Sequence, residues 1–479
     1  MAEEVQPVAA EVNEKGPIVP KRLVFCFDGT WNRLDALTPT NVVLTAESVL
    51  PIANDGKSQA IFYNEGVGTR RLERLTGGVF GAGLVENLGN AYRFLTFNYT
   101  PGDEIFVFGF SRGAFTARSF VGLLRNCGIV ARSQAGRIDE AVAFYRDRTA
   151  SSHPDSTSSR RFRAGVSPTV TTEVGEDAWR GANAAGYKPG SAPLLKVRYV
   201  GVWDTVGALG VPARYRLLTF LDRQFSFHDT GLTSMVQSGR HAVAIDEHRA
   251  DFVPTLWEGL DALNAAAESN SQASDAPYQQ KWFPGVHCGV GGGGDMRGLS
   301  DQALSWVWDG AQRAGLGLDA SHGSRIYELL PDATSALSPF DLDRLSWFKR
   351  AKARVMDTLW RRVDRVGPTS LDEVSSSALR RWQLGADALP EKSQYRPASL
   401  LKIKDALDAV PPLPSVPAPG TFDVIQVKAG ESLSKISKRR YGSFARMNEI
   451  FDMNRDRLDE PDKVYVGMPL RVPKIPAGA

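Results

Sequence analysis

Ser111 stands between two glycines in Gly109-Phe110-Ser111-Arg112-Gly113, a G-x-S-x-G pattern. The flanks give the pattern meaning. Residues 105–108 are an apolar run of strand type, and residues 114–124 read as a helix. Glycines on both sides let the chain turn sharply beneath the serine without side-chain clashes. Such a turn presents Ser111 Oγ at the C-terminal edge of a sheet, where the Arg112 amide and the helix N-terminus face developing negative charge. The plainer reading is a serine that caps a helix after a tight strand-to-helix turn.

A hydroxyl is a weak nucleophile until a base takes its proton, and the base needs a carboxylate to orient it. The chain holds six histidines: His153, His228, His241, His248, His287 and His322. His287 is placed best, at the end of an apolar run that opens onto glycines. His228, His241 and His248 share one mixed region and read by default as hydrogen-bonded structural residues. Asp204 ends the run Val200-Gly201-Val202-Trp203, where a histidine-orienting carboxylate belongs. The chain order Ser111, Asp204, His287 is that of an α/β-hydrolase. Asp204 capping the turn at 205–207 is its structural alternative. Asp246, Asp251 and Asp295 are weaker substitutes.

The expected oxyanion donors are the amide of Arg112 and an early loop carrying Gly29 and Thr30. Asp28 would hold that loop by accepting backbone N–H bonds, with a bound cation as the other reading. Phosphatases with an aspartyl nucleophile carry D-x-D-G-T after a first strand. Here Cys26 occupies the nucleophile's position, which argues against that chemistry. The glycine runs at 77–83 and 291–294 match no nucleotide fingerprint and read as turns. No cofactor and no metal is called for.

These residues need a framework. Short apolar runs at 23–27, 60–63, 104–110, 194–203 and 281–286 alternate with helical stretches at 112–125 and 299–314. That alternation predicts an α/β fold with a mainly parallel sheet flanked by helices. Residues 1–20 read as a flexible leader. Residues 149–192 and 262–280 are polar, weakly periodic excursions, expected on the surface as lids and in part disordered. Residues 322–410 read as mostly helical. Five prolines at 411–419 make a stiff linker, and a compact module follows at 421–474.

The 479 residues carry a net charge of +3, 42% hydrophobic and 23% charged residues. That is ordinary globular composition and argues against nucleic acid as the main partner. Three scattered cysteines, Cys26, Cys127 and Cys288, make neither a disulfide framework nor a zinc site. No apolar run is long enough to span a membrane. The acidic first 16 residues lack a signal-peptide core, so synthesis in the cytoplasm without a signal peptide is expected.

Several phrases occur together in order: Leu23-Val-Phe-Cys-Phe-Asp-Gly-Thr-Trp-Asn32, Gly109-Phe-Ser-Arg-Gly-Ala-Phe-Thr-Ala-Arg118, Val202-Trp-Asp-Thr-Val-Gly207, His241-Ala-Val-Ala-Ile-Asp-Glu-His248 and Trp282-Phe-Pro-Gly-Val-His287, then Tyr395-Arg-Pro397. Over about 23–400 the chain resembles the DUF2235 family of α/β-hydrolases, which includes Tle1-type phospholipase effectors of the type VI secretion system. The resemblance implies a triad on Ser111, Asp204 and His287. It departs at Gly289, where relatives carry an aspartate two residues after the histidine.

Residues 422–473 resemble a LysM domain, a βααβ module that binds N-acetylglucosamine-containing glycans. The marks are Gly430-Glu431-Ser432-Leu433, Ile436, Tyr441-Gly442, residues 450–454 and the run 464–473. The resemblance implies a sugar groove near Gly430, Glu431, Ser432, Leu433, Asp456 and Arg457. The pairing implies an antibacterial phospholipase of A1 or A2 type delivered to the periplasm of a target cell. Membrane phospholipid is then the substrate, with peptidoglycan, a secretion spike protein and a cognate immunity protein as partners. A cytoplasmic esterase or thioesterase on a soluble substrate, and a non-enzymatic wall-binding or scaffold protein, are the alternatives.

Overall fold

The computed structural model describes residues 19–29, 38–66, 78–147, 149–207, 231–319, 329–338, 362–413, 421–455, 458 and 460–475. Six strands form one sheet: β1 (Arg22–Phe27), β2 (Gln59–Asn64), β3 (Glu104–Phe110), β4 (Val197–Trp203), β5 (Gly239–Ala244) and β6 (Tyr278–Phe283). All neighbouring pairs are parallel, in the order β2-β1-β3-β4-β5-β6. β1, β4 and β5 are buried almost throughout, which suits a sheet covered on both faces.

On one face lie α1 (Asn41–Ser48) and α9 (Gly298–Arg313), packed on Val24, Phe106, Phe108 and Tyr199. The other face carries α2 (Gly78–Asn98), α3 (Arg112–Cys127) and α4 (Ile138–Arg146), against Phe25, Val107 and Val200, with α7 (Leu260–Ala266) packing Leu260 and Leu263 on the same core. Alternate residues of each strand therefore feed opposite cores, as the two-residue pleat requires. Strand order reverses direction between β1 and β3. Ser111 follows β3 directly at that switch point, at the C-terminal strand ends.

Three sequence expectations change here. Residues 239–244 form β5, although Arg240 and His241 mask its apolar pattern. Residues 149–192 fold into α5 (Thr157–Val166) and α6 (Glu176–Asn183), joined by a buried ion cluster. Arg163 and Arg180 both bind Glu176 Oε1, at 2.9 and 2.7 Å, with all three side chains at 0% exposure. Charge pairing, together with Val166 and Val170 in the core, orders this segment. Among the described residues of 322–410, helix is limited to short pieces such as α10 (Ser376–Gln383), and 362–370 is irregular. Residues 320–328 and 339–361 lie outside the described residues.

The C-terminal module pairs β7 (Phe422–Gln426) with β8 (Pro469–Pro473) antiparallel, around α11 (Leu433–Tyr441) and α12 (Met447–Asp452). Leu433, Ile436, Ile450 and Leu470 form its own core. Ser432 caps α11 by accepting from Lys435 N, and Gly442 ends it at φ 71°. The module docks on the C-terminal end of α9. Tyr465 OH donates to Asp309, Gln312 Nε2 donates to Gly467 O at 3.0 Å, and Gln426 Nε2 donates to Leu318 O at 3.2 Å.

Candidate active site

Ser111 lies between β3 and α3 with φ 59° and ψ −125°, a strained backbone for a residue with a side chain. The surroundings enforce it. Ser111 N donates to Trp203 O at 3.0 Å, and Val206 N donates to Ser111 O at 3.4 Å. A Cβ on Gly113 would lie 2.2 Å from Phe27 O, and one on Gly109 would lie 2.6 Å from Gly113 O. Both glycines are required by close backbone approach, and α3 then starts directly beneath the serine.

His287 opens α8 (His287–Gly291), a single turn after β6. Its Nε2 lies 2.7 Å from Ser111 Oγ, and its Nδ1 lies 2.5 Å from Asp204 Oδ2. The three residues are 5, 0 and 3% exposed for Ser111, Asp204 and His287. The ring packs against Phe110 and Phe252, with centroids 4.6 and 4.8 Å away. A Cβ on Gly291 would meet the Phe110 ring at 1.9 Å, so that glycine lets the histidine turn close on the serine. At Gly289, a Cβ would lie 3.2 Å from Leu337 O.

Asp204 follows β4, with its amide bound to Ala242 O at 2.7 Å. Its Oδ1 accepts from Ala244 N at 2.9 Å and from Arg365 Nη1 at 2.7 Å. Oδ2 takes the imidazole and Arg365 Nη2, the latter at 3.0 Å. Burial alone would raise this carboxyl, but the Arg365 charge and the bonds from His287 and Arg365 hold it well below the usual carboxylate range. Burial lowers His287 from its ordinary value, against the opposing pull of Asp204. The imidazole is therefore neutral and able to accept a proton near neutrality.

The next ring of contacts was not legible as function. Glu247 Oε2 accepts from His287 N at 3.2 Å and is itself gripped by Arg249. Asp246 Oδ2 accepts from Gly285 N at 2.7 Å and Tyr395 OH at 2.9 Å, fixing the loop that leads to His287. Asp246, Glu247 and Tyr395 belong to phrases quoted above. Arg365 carried no sequence signal, because its partner lies 161 positions away.

The remaining residues sort by position. His241 is buried and accepts from Thr205 N at 3.2 Å, with Gln280 Oε1 2.9 Å from Nδ1. Burial, then the nearby Arg118 charge, pushes it down to about 3, which suits a neutral structural role. His153 and His248 sit beside Asp155 and Asp364. His228 and His322 lie outside the described residues. Asp28 accepts from Gly29 N at 2.6 Å, Thr40 Oγ1 at 2.7 Å and Tyr63 OH at 2.9 Å. The Gly29 amide is thus turned onto its neighbour's carboxylate, and Thr30 lies outside the described residues. Among the described residues no cluster of three or more His, Cys, Asp or Glu side chains is arranged to hold a metal ion.

In the C-terminal module Gly430 takes φ 74° at an exposed turn. Glu431 accepts from Lys428 N at 2.8 Å and pairs with Arg439. Leu433 is 1% exposed, so its side chain packs inward instead of lining a groove. Asp456 and Arg457 lie outside the described residues. No helix among the described residues is long and apolar enough to cross a membrane.

A parallel sheet flanked by helices, with a serine on a strained strand-to-helix turn, defines an α/β-hydrolase-like core. The match to known proteins narrows the class. Residues 21–310 match the catalytic domain of the Tle1-like phospholipase effectors of the type VI secretion system, and the chain belongs to that family. Residues 425–473 match the LysM domain. An uncharacterized protein of Saccharomyces cerevisiae is 27% identical over 247 residues, covering 48% of this chain and 32% of that one. The potassium binding protein Kbp of Escherichia coli is 48% identical over 48 residues, 10% of this chain and 32% of its own. A crystal structure of an uncharacterized protein from Pseudomonas aeruginosa aligns with a TM-score of 0.31 and 16% identity, over 62% of this chain and 46% of that one. The Tle1 effector bound to the VgrG spike aligns with a TM-score of 0.28 and 18% identity, over 57% and 51%. The chain spans about a third of the length of these curated relatives and about half of these solved chains.

Proposed function

We propose that this chain is a serine phospholipase that cleaves an acyl ester of membrane phospholipid, with A1 or A2 regiochemistry. The observation that carries the reading is the hydrogen-bonded chain from Ser111 through His287 to Asp204, set in a Tle1-like catalytic domain. In the proposed mechanism His287 Nε2 takes the Ser111 proton as Oγ attacks the ester carbonyl. Asp204 holds the Nδ1–H tautomer and faces the imidazolium that forms. The Arg112 amide, at the N-terminus of α3, meets the oxyanion. Gly29 joins it only when its N–H leaves Asp28 Oδ1. His287 then returns the proton to the leaving lysophospholipid, and water releases the fatty acid.

The LysM module supports an envelope setting, with peptidoglycan held by the surface around Gly430, Glu431 and Ser432. The family supports export by a contractile secretion machine into the periplasm of a target bacterium. A spike protein and a cognate immunity protein are the corresponding partners. The test is fatty-acid release from mixed phospholipid vesicles, beside hydrolysis of a short soluble ester. Release that disappears in Ser111→Ala supports the phospholipase. Ser111-dependent cleavage of the soluble ester alone would move the assignment to a general esterase.

A further inference from the structure

Arg365 makes a two-pronged contact with the carboxylate of Asp204, at 2.7 Å to Oδ1 and 3.0 Å to Oδ2. It is 7% exposed, and its Nη2 also donates to Phe252 O at 2.7 Å. Phe252 is the residue whose ring stands edge-on to His287. The segment carrying Arg365 is itself tied to the site. Arg362 bridges Arg249, and Val363 N donates to His248 O at 2.8 Å. The family match ends at residue 310, well before this segment.

The count of bonds on Asp204 is informative. A carboxylate has about four acceptor sites. Here Ala244 N and Arg365 Nη1 occupy Oδ1, while His287 Nδ1 and Arg365 Nη2 occupy Oδ2. The guanidinium fork lies on both oxygens at once, so it sets the plane of the carboxylate and hence the direction offered to the imidazole. It also places a positive charge against the negative one. A histidine beside a bare buried carboxylate is strongly stabilised in its protonated form, whereas one beside a neutralised pair is not.

We propose that Arg365 is a positioning residue of the triad, fixing the Asp204 carboxylate in plane and balancing its charge beside His287. The inference rests on the hydrolase reading of Ser111, and Arg365 acts through Asp204 without touching the serine. Among the described residues, the other charged and titratable groups facing His287 are Glu247 and Arg249 after β5, together with the adjacent thiol of Cys288. His241 and Arg118 lie one layer behind Asp204. Glu247 is already paired with Arg249, and among the described residues Arg365 is the guanidinium paired with Asp204.

Two variants separate charge from geometry. In Arg365→Gln the carboxylate loses both, and the acid limb of kcat/KM on a soluble p-nitrophenyl ester should move up by about one pH unit. In Arg365→Lys the charge stays and the fork is lost. Its acid limb should stay within about 0.3 unit of wild type, while kcat falls about tenfold at unchanged KM. A residue that merely held the fold would lower the melting temperature and leave the pH profile of the folded enzyme in place. Should Arg365→Gln fail to fold, the kcat loss of Arg365→Lys decides the case.

Titration of the His287 ring by NMR in both variants gives a readout that needs no turnover. An upward shift in Arg365→Gln supports the role of Arg365. A ring that titrates at the wild-type pH there overturns it, as does wild-type kcat in Arg365→Lys. Absence of ester turnover and of fluorophosphonate labelling in the wild type would instead sink the hydrolase reading, and the NMR titration would still decide Arg365.

Discussion

Ser111, His287 and Asp204 are held by contacts that leave little freedom, and that tightness governs the expected effects of substitution. Burial depresses His287, so the acid limb of wild-type kcat/KM should lie below about 6.5, the ordinary histidine value. In the proposed mechanism His287 works only when neutral, so activity is present above that limb and is lost as pH falls through it. A pH–rate profile checks this, and a limb above 7 would contradict it. Gly113→Ala forces a Cβ to within 2.2 Å of Phe27 O and 2.4 Å of Asp28 O, both backbone. The strand-to-helix turn cannot absorb that, and the melting temperature should fall by roughly 5–10 °C. That Ser111, His287 and Asp204 would meet was readable from residue type and chain order. Arg365 and Glu247 were not: Arg365 meets Asp204 161 positions away, and Glu247, beside Arg249, reads as a local surface pair until the fold brings His287 N to it.

Elements followed the same logic. β1 and β3 were legible because a strand buried on both faces is a continuous apolar run. β5 was not, because Arg240 and His241 interrupt it. Each is buried among distant partners, Asp309 and Trp306 O for Arg240, Gln280 and Thr205 N for His241. Residues 149–192 looked loose for a related reason. Their order comes from Glu176, which binds Arg163, Arg180 and Thr172 N. Glu176→Gln removes the charge that both arginines share, and a loss of about 3 kcal/mol is expected from urea unfolding. Burial would raise this carboxyl, but the surrounding arginines and hydrogen bonds hold it below its usual value. Its contribution is therefore present above about pH 4.3 and is lost as pH falls through the depressed folded-state value. Unfolding midpoints unchanged between wild type and Glu176→Gln at pH 7 would refute the role given to the cluster.

At the scale of the molecule, the two ends of the sheet have separate tasks. Ser111, Asp204 and His287 lie at the C-terminal strand ends. Residues 149–192 join the other end, through the bridge from Thr171 to Leu194 just before β4 and through Arg163 on Asn126 O. That end of α3 is about 20 Å from Ser111 along the helix. Residues 262–280 also feed the start of a strand, where Asn264 makes two bonds to the Tyr278 backbone. The LysM module docks at this same end, around Asp309, Arg313 and Gln312. Tyr465→Ala should loosen that docking, seen as faster proteolysis near 411–420, while soluble-ester kcat stays within about twofold. A large drop in kcat would show that the module acts on the site directly.

The central claim is that Ser111 is a nucleophile activated by His287. Its most direct test is covalent: incubation with a fluorophosphonate, followed by peptide mass spectrometry. The account predicts one phosphonyl adduct, on the peptide containing Ser111, and labelling slowed by about a thousandfold in His287→Ala. No adduct on wild-type Ser111, or labelling of His287→Ala at the wild-type rate, would contradict it.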